Sequence, residues 1–387
     1  MEQNGPRPAA GKIHLFIFIH DLAPFGAQRV ALQTVKNINK CLFRVTVCSF
    51  GGDKTLAPEF IACGAEMVFL GAGRFSDLSA WLRLAARLFR SRPDIIQTNL
   101  PELSFPVRLL SLFLPGLRVV HSVQNPLSSE PWGWRFLNRA TIGLCDAVIF
   151  CSRGICEEAA PSLKRSGGKF FVVQNGISME TAPAAAGFAL RRELGINEDE
   201  KVIGCVGRLS VQKGQDVLIE ALEQLVKQKR RVRLLLAGDG ETFYELKALV
   251  RRLGLEREVL FLGRRADIAR ILAACDVYAA ASRWEGLSVA LGEAMLAGRP
   301  CAATKIPGHA DLLRDGITGA AVPTEDATAL AGAISRLLDD PAGAQRLAAA
   351  SAELVRTEFT VEKMAEKYEK LYLGMRADEK TQYPVCY

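Results

Sequence analysis

Asp276-Val277-Tyr278-Ala279-Ala280-Ala281-Ser282-Arg283-Trp284-Glu285-Gly286-Leu287-Ser288-Val289-Ala290-Leu291-Gly292-Glu293-Ala294-Met295 holds a short apolar run, a polar turn and a helical repeat in immediate succession. Residues 276–281 read as a buried strand. From 289 the apolar spacing is helical, with Gly298 and Pro300 as stop signals. Glu285 and Gly286 are therefore expected on a strand-to-helix turn. The amides of Gly286, Leu287 and Ser288 then sit at a helix N-terminus, where unpaired N–H groups and the helix dipole favour an anionic or oxygen-rich ligand. Glu293 falls two turns further on, expected on the same helix face as Glu285. A bare pair of glutamates seven apart is more often solvated than functional, so the surroundings must decide.

Working outward, the strand–turn–helix unit recurs. In the first half, residues 13–19 form a continuous apolar run, expected of a parallel strand buried on both faces. A glycine-bearing loop, 20–27, follows, and 28–38 has helical spacing. Strands are then predicted over 43–49, 66–70, 95–97, 119–123, 147–152 and 170–174. Helices are predicted over 56–63, 79–89, 107–113 and 155–160. Beyond a small, proline-bearing stretch starting at Thr181 the alternation restarts. Strands are predicted over 202–207, 232–237, 258–262 and 301–303, and helices over 216–228, 242–253 and 267–274. Helices over 328–338, 345–354 and 361–373 close the chain. Alternation of this kind means parallel sheets with helices on both faces, and ligands at the strand ends. The fold class expected is α/β, two Rossmann-like domains facing each other across a cleft. The boundaries are a tail at 1–11, a first domain at 12–180, a linker at 181–199, a second domain at 200–360, a helix at 361–375 that crosses back, and a tail at 376–387.

The 387 residues suit two domains, and 49% hydrophobic with 24% charged residues describes a globular chain. The longest early apolar run, 13–19, is too short to cross a bilayer and lacks the marks of a secretory peptide, so a cytoplasmic protein is expected. The ten cysteines include no C-x-x-C pair. They read as small buried hydrophobes, not as ligands or bridges, and no metal site is expected. A net charge of +7 suits a nucleotide, a phospholipid surface or nucleic acid without choosing among them.

A second loop carries charge. Gly207-Arg208-Leu209-Ser210-Val211-Gln212-Lys213-Gly214 directly follows the first strand of the second half. An arginine fork and a mobile lysine, five apart on a glycine-flanked loop, can both reach one diphosphate. Gly238-Asp239-Gly240 follows the next strand and reads on its own as a plain turn. Residues 306–319 begin Ile306-Pro307-Gly308-His309-Ala310-Asp311.

Taken together, these motifs resemble those of the retaining E-x7-E glycosyltransferases (glycosyl transferases group 1, glycosyltransferase family 4), which have the GT-B fold. The resemblance implies that Glu285 touches the donor sugar's hydroxyls and Glu293 the ribose hydroxyls. It makes Arg208 and Lys213 the phosphate pair, and places Gly207, Gly238, Asp239, Gly286, Leu287 and Ser288 around the nucleotide sugar. In the first half, which would take the acceptor, it implies that Gly26 and Ala27 present amides to phosphate or acceptor. It also carries His121 over as a residue beside the reaction centre. Where relatives read Gly-Gly-Ala-Glu-Arg, this chain reads Phe25-Gly26-Ala27-Gln28-Arg29, and Asp311 stands for a glutamate.

The implied reaction moves a sugar from a UDP- or GDP-linked donor to an acceptor hydroxyl with retained configuration. No cofactor is implied beyond that co-substrate. No Asp-x-Asp occurs, in keeping with charge neutralisation by side chains and not by a metal. Trp81, Arg83, Leu84, Arg87, Leu88, Phe89 and Arg90, with residues 105–114 and 132–135, suggest a basic, apolar patch. Such a patch would fit an anionic membrane surface at the cytoplasmic face and a saccharide or lipid-linked acceptor; no nucleic acid is then expected. Two alternatives stand beside this: a non-catalytic nucleotide-sugar-binding protein, and an NAD(P)-dependent oxidoreductase, which would lack its G-x-G-x-x-G fingerprint.

Overall fold

The computed structural model describes residues 11–24, 26–163, 169–178 and 180–376. Phe25 and, apart from Gly11 and Arg376, the two tails expected from the sequence lie outside these. The chain divides into two compact units: the first comprises residues up to Cys151, Ala159–Gly176 and the stretch from Val361, and the second comprises Ser152–Glu158 and Ile177–Thr360.

The strands of the first unit are β1 (Ile13–Ile19), β2 (Phe43–Gly51), β3 (Glu66–Ala72), β4 (Ile95–Thr98), β5 (Arg118–Val123), β6 (Ala147–Phe150) and β7 (Phe170–Val172). Those of the second are β8 (Lys201–Val206), β9 (Val232–Ala237), β10 (Val259–Gly263), β11 (Val277–Ala280), β12 (Cys301–Thr304) and β13 (Ala320–Val322). The helices are α1 (Gly26–Asn37), α2 (Ala57–Ala62), α3 (Leu78–Ser91), α4 (Pro101–Ser111), α5 (Trp132–Thr141), α6 (Arg153–Leu163), α7 (Ala184–Glu193), α8 (Gln215–Lys227), α9 (Phe243–Leu253), α10 (Ile268–Ala274), α11 (Val289–Leu296), α12 (Ala327–Asp339), α13 (Pro341–Glu358) and α14 (Val361–Arg376).

Both sheets are parallel throughout. The first runs β3-β2-β1-β4-β5-β6-β7 and the second β10-β9-β8-β11-β12-β13. All seven residues of β1 are buried, because helices cover both faces and no polar alternation is needed. In the second unit, Leu218, Leu222 and Leu225 of α8 pack with Leu234 and Leu236 of β9 and Ile334 of α12. Each such fully buried side chain contributes about 1.5–3 kcal/mol relative to exposure. Strand order reverses direction at β8/β11, and in open sheets of this kind ligands are bound outside the carboxyl ends of the strands at such a switch point.

Three stretches differ from the sequence expectation. The chain joins the second unit at Ile177, ahead of the expected 181–199 linker. Ile177 is buried, its amide donates to Phe359 O at 2.7 Å, and its side chain fills the space that a Cβ on Gly292 would need. Within the expected linker, α7 is packed, not loose. Leu190 is buried, a Cβ on Gly187 would lie 2.3 Å from Ala273 O, and Arg191 bonds Ala274 O and Asp276. A run of small residues that looks like a spacer is here the surface on which two helices approach closely.

The α3 patch is also revised. Leu84 and Leu88 are core residues, and Trp81 meets Phe18 edge-to-face and Phe50 at a tilt while its indole N–H donates to Phe75 O at 2.8 Å. Arg83 bonds Leu70 O and Arg87 pairs with Glu66, so these cations tie α3 to β3. Among the described residues of this unit, the most exposed aromatics lie instead just after α4 and on α5: Phe113 (71%), Trp132 (80%) and Phe136 (66%). The last helix, α14, puts Met364, Tyr368, Leu371 and Tyr372 into the first unit's core, where the Tyr372 hydroxyl meets the Gln97 side-chain oxygen.

Candidate functional site

The two loops singled out by sequence leave β8 and β11, the pair of strands that flank the switch point of the second sheet. The β11 loop is built around a buried carboxylate. Glu285 is 6% exposed. Its Oε1 accepts from Lys213 Nζ at 2.5 Å and from Ser282 Oγ at 2.8 Å, and its Oε2 accepts from Gln212 Nε2 at 3.3 Å. Burial alone would push this carboxyl up; the Lys213 ammonium and hydrogen bonds from Lys213 and Ser282 outweigh it, and the group sits below its ordinary value. Glu285 is therefore an anion that accepts hydrogen bonds.

The sign of the linkage follows. Because the folded value is depressed, the stability this carboxylate contributes is complete above the ordinary unfolded value of 4.5 and is lost as pH falls through the folded one. Acid unfolding of Glu285→Gln should accordingly begin from a lower plateau and fall less between pH 5 and about pH 3 than in the parent protein, as read by circular dichroism. Parallel curves would contradict the pairing.

Supports extend from the neighbouring strand. Ser282 O accepts from Thr304 Oγ1 at 2.6 Å, and Thr304 O accepts from His309 Nδ1 at 2.8 Å. That bond fixes the proton on Nδ1. Burial lowers the His309 pKa, against the opposing pull of Glu285 and the Thr304 carbonyl, and keeps the ring neutral. Gly308 is needed because a Cβ there would lie 2.2 Å from Glu285 O. On the other side, Arg283 clamps the two loops together: its guanidinium bonds both oxygens of Asp216, both of Glu325, and Val211 O. Sequence inspection missed Arg283, Ser282, Gln212 and His309. Only their nearness in sequence to Glu285, Lys213 or Gly308 could have suggested them.

The loop after β8 holds its shape against the loop after β9. Gly207 N bonds Ala237 O, Leu209 N bonds Asp239 O and Thr242 N bonds Leu209 O. Gly238 has φ +151°, and a Cβ there would lie 1.8 Å from Gly207 O. The Gly-Asp-Gly is thus a close approach of two backbones and not a plain turn. Gly238→Ala is expected to lower the melting temperature by several degrees, since strain at such a position costs about 1–3 kcal/mol. Calorimetry checks this, and an unchanged melting temperature would contradict the packing. Arg208 is exposed, and its guanidinium has no hydrogen-bond or ion-pair partner among the described residues. Asp239 is exposed beside it on the β9 loop.

Several placements correct the sequence expectation. The helix α11 starts at Val289 with Ser288 as N-cap, so Glu285 precedes the helix and shares no helix face with Glu293. The Ser288 amide is directed to Gly308 O at 3.4 Å. Gly286 and Leu287 are buried in the turn, and Glu293 is half-buried on α11. Lys213 pairs with Glu285 instead of standing free beside Arg208. In the first unit, Gly26 and Ala27 form the first turn of α1. Gln28, which lacks the charge of the residue it replaces, donates to Asp21 Oδ1 at 2.8 Å.

His121 is not at a strand end. It lies within β5, opposite Thr98 and Val148, is 1% exposed, and its Nδ1 faces Ser104 Oγ of α4 at 3.0 Å. Burial and the buried Arg108 push its pKa well down, so it is a neutral core histidine. The strand runs to Val123. The residue that follows it is Gln124, which donates to Ser122 and accepts from Asn175 Nδ2 at 3.1 Å.

Among the described residues no disulfide forms, and most cysteines are buried; burial pushes the Cys205 and Cys275 thiols up to about 12. None of the described helices is long and apolar enough to cross a membrane.

Residues 188–354 match the family described as Glycosyl transferases group 1, and residues 25–181 match Glycosyltransferase Family 4. The chain is 32% identical over 341 residues to the lipopolysaccharide core biosynthesis mannosyltransferase LpsB of Rhizobium meliloti, covering 82% of this chain and 91% of that protein. It is 25% identical to the UDP-Gal:alpha-D-GlcNAc-diphosphoundecaprenol alpha-1,3-galactosyltransferase of Escherichia coli, covering 90% and 94%. Among solved structures, Anabaena HepE in complex with UDP-glucose superposes with a TM-score of 0.80 at 25% identity, covering 93% of this chain and 99% of that one.

Proposed function

This chain belongs to the glycosyl transferases group 1 family, with the two Rossmann-like domains of GT-B glycosyltransferases, and on that premise we propose that it moves a sugar from a UDP- or GDP-linked donor to the hydroxyl of a saccharide or lipid-linked acceptor, with retained anomeric configuration. The observation that carries this is the pair of half-buried Lys213 and buried Glu285, set at the sheet's switch point, with the exposed Arg208 on the same loop as Lys213. Bond cleavage leaves a diphosphate anion and an electron-poor sugar. A protein speeds such a step mainly by neutralising the departing charge and fixing the attacking hydroxyl.

Arg208 supplies a planar fork for the diphosphate. Lys213 has three N–H donors, so it can keep Glu285 and give another to a phosphate oxygen. Glu285 Oε1 is taken by Lys213 and Ser282, while among the described residues Oε2 holds only the longer bond from Gln212. That oxygen is the one left for a sugar hydroxyl. Glu293, one helix turn into α11, takes the ribose hydroxyls. No residue here is assigned as a covalent nucleophile or a metal ligand, and the diphosphate charge is met by side chains. Support for this donor chemistry comes from the UDP-glucose complex of HepE and for a lipid-linked acceptor from the diphosphoundecaprenol in the name of the Escherichia coli relative. The oxidoreductase alternative is set aside with the family.

The test is direct. Purified protein is incubated with a panel of UDP- and GDP-sugars and candidate acceptors, and the anomeric centre of the product is read by NMR. The donor's own configuration is expected in the product; inversion, or no transfer with any donor, would overturn the proposal.

The acceptor side extends to the membrane. The exposed Trp132 and Phe136 of α5 and Phe113, just after its packed neighbour α4, occur with the exposed Arg135 and Arg139, a combination suited to an anionic bilayer interface. Wild type should sediment with phosphatidylglycerol vesicles. Trp132→Ser with Phe136→Ser should lower the partition coefficient roughly tenfold or more, given about 25 cal/mol per Å² of apolar surface withdrawn. Equal sedimentation of the two proteins would remove this surface from the account.

A further inference from the structure

A second charged cavity lies in the first unit, where none of the donor-site residues sit. Its volume is ≈ 680 Å³, and it opens at the amino ends of β1 and β2, whereas ligands of such sheets gather at the carboxyl ends. Lys12, Lys40, Arg44, Arg92 and Arg376 line it, against the single carboxylate of Asp94. These cations come from five places in the chain, and only the fold assembles them. Like charges gathered on one cavity repel each other, and an anion placed among them relieves that repulsion.

The cavity is also built and not merely lined. Arg44 Nη2 lies 2.7 Å from His14 Nδ1, and His14 Nε2 lies 2.8 Å from Thr46 Oγ1, which donates to Glu66 Oε2 at 3.1 Å. A guanidinium can only donate, so Nδ1 must accept and Nε2–H must donate to Thr46. One neutral tautomer satisfies the whole chain, and His14, 4% exposed, is held in it by burial and by Arg44 itself, both of which lower its pKa. A buried relay therefore fixes the direction of one guanidinium at the cavity wall. Arg92 is held in the left-handed conformation, φ +40°, as the C-cap of α3, and Arg376 donates to Gly11 O at 2.5 Å across the cavity's rim. Lys40 Nζ is anchored on Val35 O. Asp94 is engaged by the His14 amide at 2.8 Å.

We propose that this cavity is a binding site for a phosphate-bearing anion of diphosphate size, distinct from the donor site carried by the second unit. Oriented arginine forks with lysine point charges on several sides suit an ion carrying two or more charges on tetrahedral oxygens. The ion is either a free phosphate compound or the phosphate headgroup of a lipid.

Calorimetric titration of the full chain distinguishes these. One arm uses inorganic pyrophosphate; the other uses monomeric dihexanoyl phosphatidic acid. Arg44→Gln with Arg92→Gln is expected to weaken binding of one or both probes by roughly tenfold or more, since each lost charge-assisted bond is worth at least a factor of that order. Arg208→Gln is expected to keep that site. The tighter probe identifies the source. Lys12→Gln with Arg376→Gln, which leaves the His14 relay intact, should show the same loss, and Arg44→Lys with Arg92→Lys should recover part of it. Unchanged isotherms in both glutamine pairs, or no binding of either probe by wild type, would overturn the site. A loss seen only in Arg208→Gln would do the same while leaving the donor assignment standing.

Discussion

Replacing Lys213 by methionine is expected to reduce turnover by roughly 10³-fold and to lower the melting temperature as well. The reason is the company Lys213 keeps. Glu285 is 6% exposed and spends one oxygen on the Lys213 ammonium. Removing one partner of a buried ion pair leaves an uncompensated charge, at a cost of about 3–5 kcal/mol. The catalytic loss adds to this, because the same ammonium is assigned to the departing diphosphate, and one such electrostatic contact is worth about 10²–10³ in rate. The two effects separate in a double variant. Lys213→Met together with Glu285→Gln should regain much of the lost melting temperature, since no buried charge is left unpaired, yet remain as inactive as the single variant. Steady-state kinetics with differential scanning calorimetry gives both numbers. Full activity in the single variant, or no recovery of stability in the double, would contradict the pairing as described.

Arg208→Gln should behave in the opposite way. Arg208 is exposed and its guanidinium makes no hydrogen bond or ion pair among the described residues, so the fold loses little, within about 0.5 kcal/mol. Turnover should fall by roughly 10²–10³, the usual worth of one group that meets charge developing in the transition state. The loss should appear in kcat with KM for the acceptor unchanged. A variant that is destabilised but active would mean that Arg208 holds the loop and does not meet the substrate.

The contrast between these two cations bears on what could be seen in the sequence. The parallel sheets were legible because fully buried strands such as β1 and β9 are apolar at every position but the second, His14 and Arg233, and because glycines mark the loops at the switch point. Two functional loops were legible for the same reason. Their internal pairing was not. Lys213 and Glu285 are 72 positions apart, and only the adjacency of β8 and β11 brings them together. Arg208 and Lys213 look alike on paper as a phosphate pair, and the fold makes Lys213 the half-buried partner of Glu285 and leaves Arg208 exposed, without a hydrogen-bond or ion-pair partner among the described residues. His121 shows the converse error. A histidine in the sequence Val119-Val120-His121-Ser122-Val123 sits within the strand, and the alternation of side chains along β5 turns it under α4.

Local composition misled twice. The alanines and glycine of α7 read as a spacer, since helix propensity and flexible composition overlap in such runs, and tertiary packing on α10 decided the outcome. The arginines of α3 read as a membrane face because their partners, Glu66 and the Leu70 carbonyl, lie on a strand upstream in the chain. Charge on a helix says nothing of its destination until the neighbouring strand is placed.

The most direct test of the central claim is a crystal structure of the protein with a UDP- or GDP-linked sugar bound. The account predicts the diphosphate against Arg208 and Lys213, a sugar hydroxyl on Glu285 Oε2 and the ribose hydroxyls on Glu293. A nucleotide seated elsewhere, with the Lys213–Glu285 pair untouched by the ligand, would contradict it.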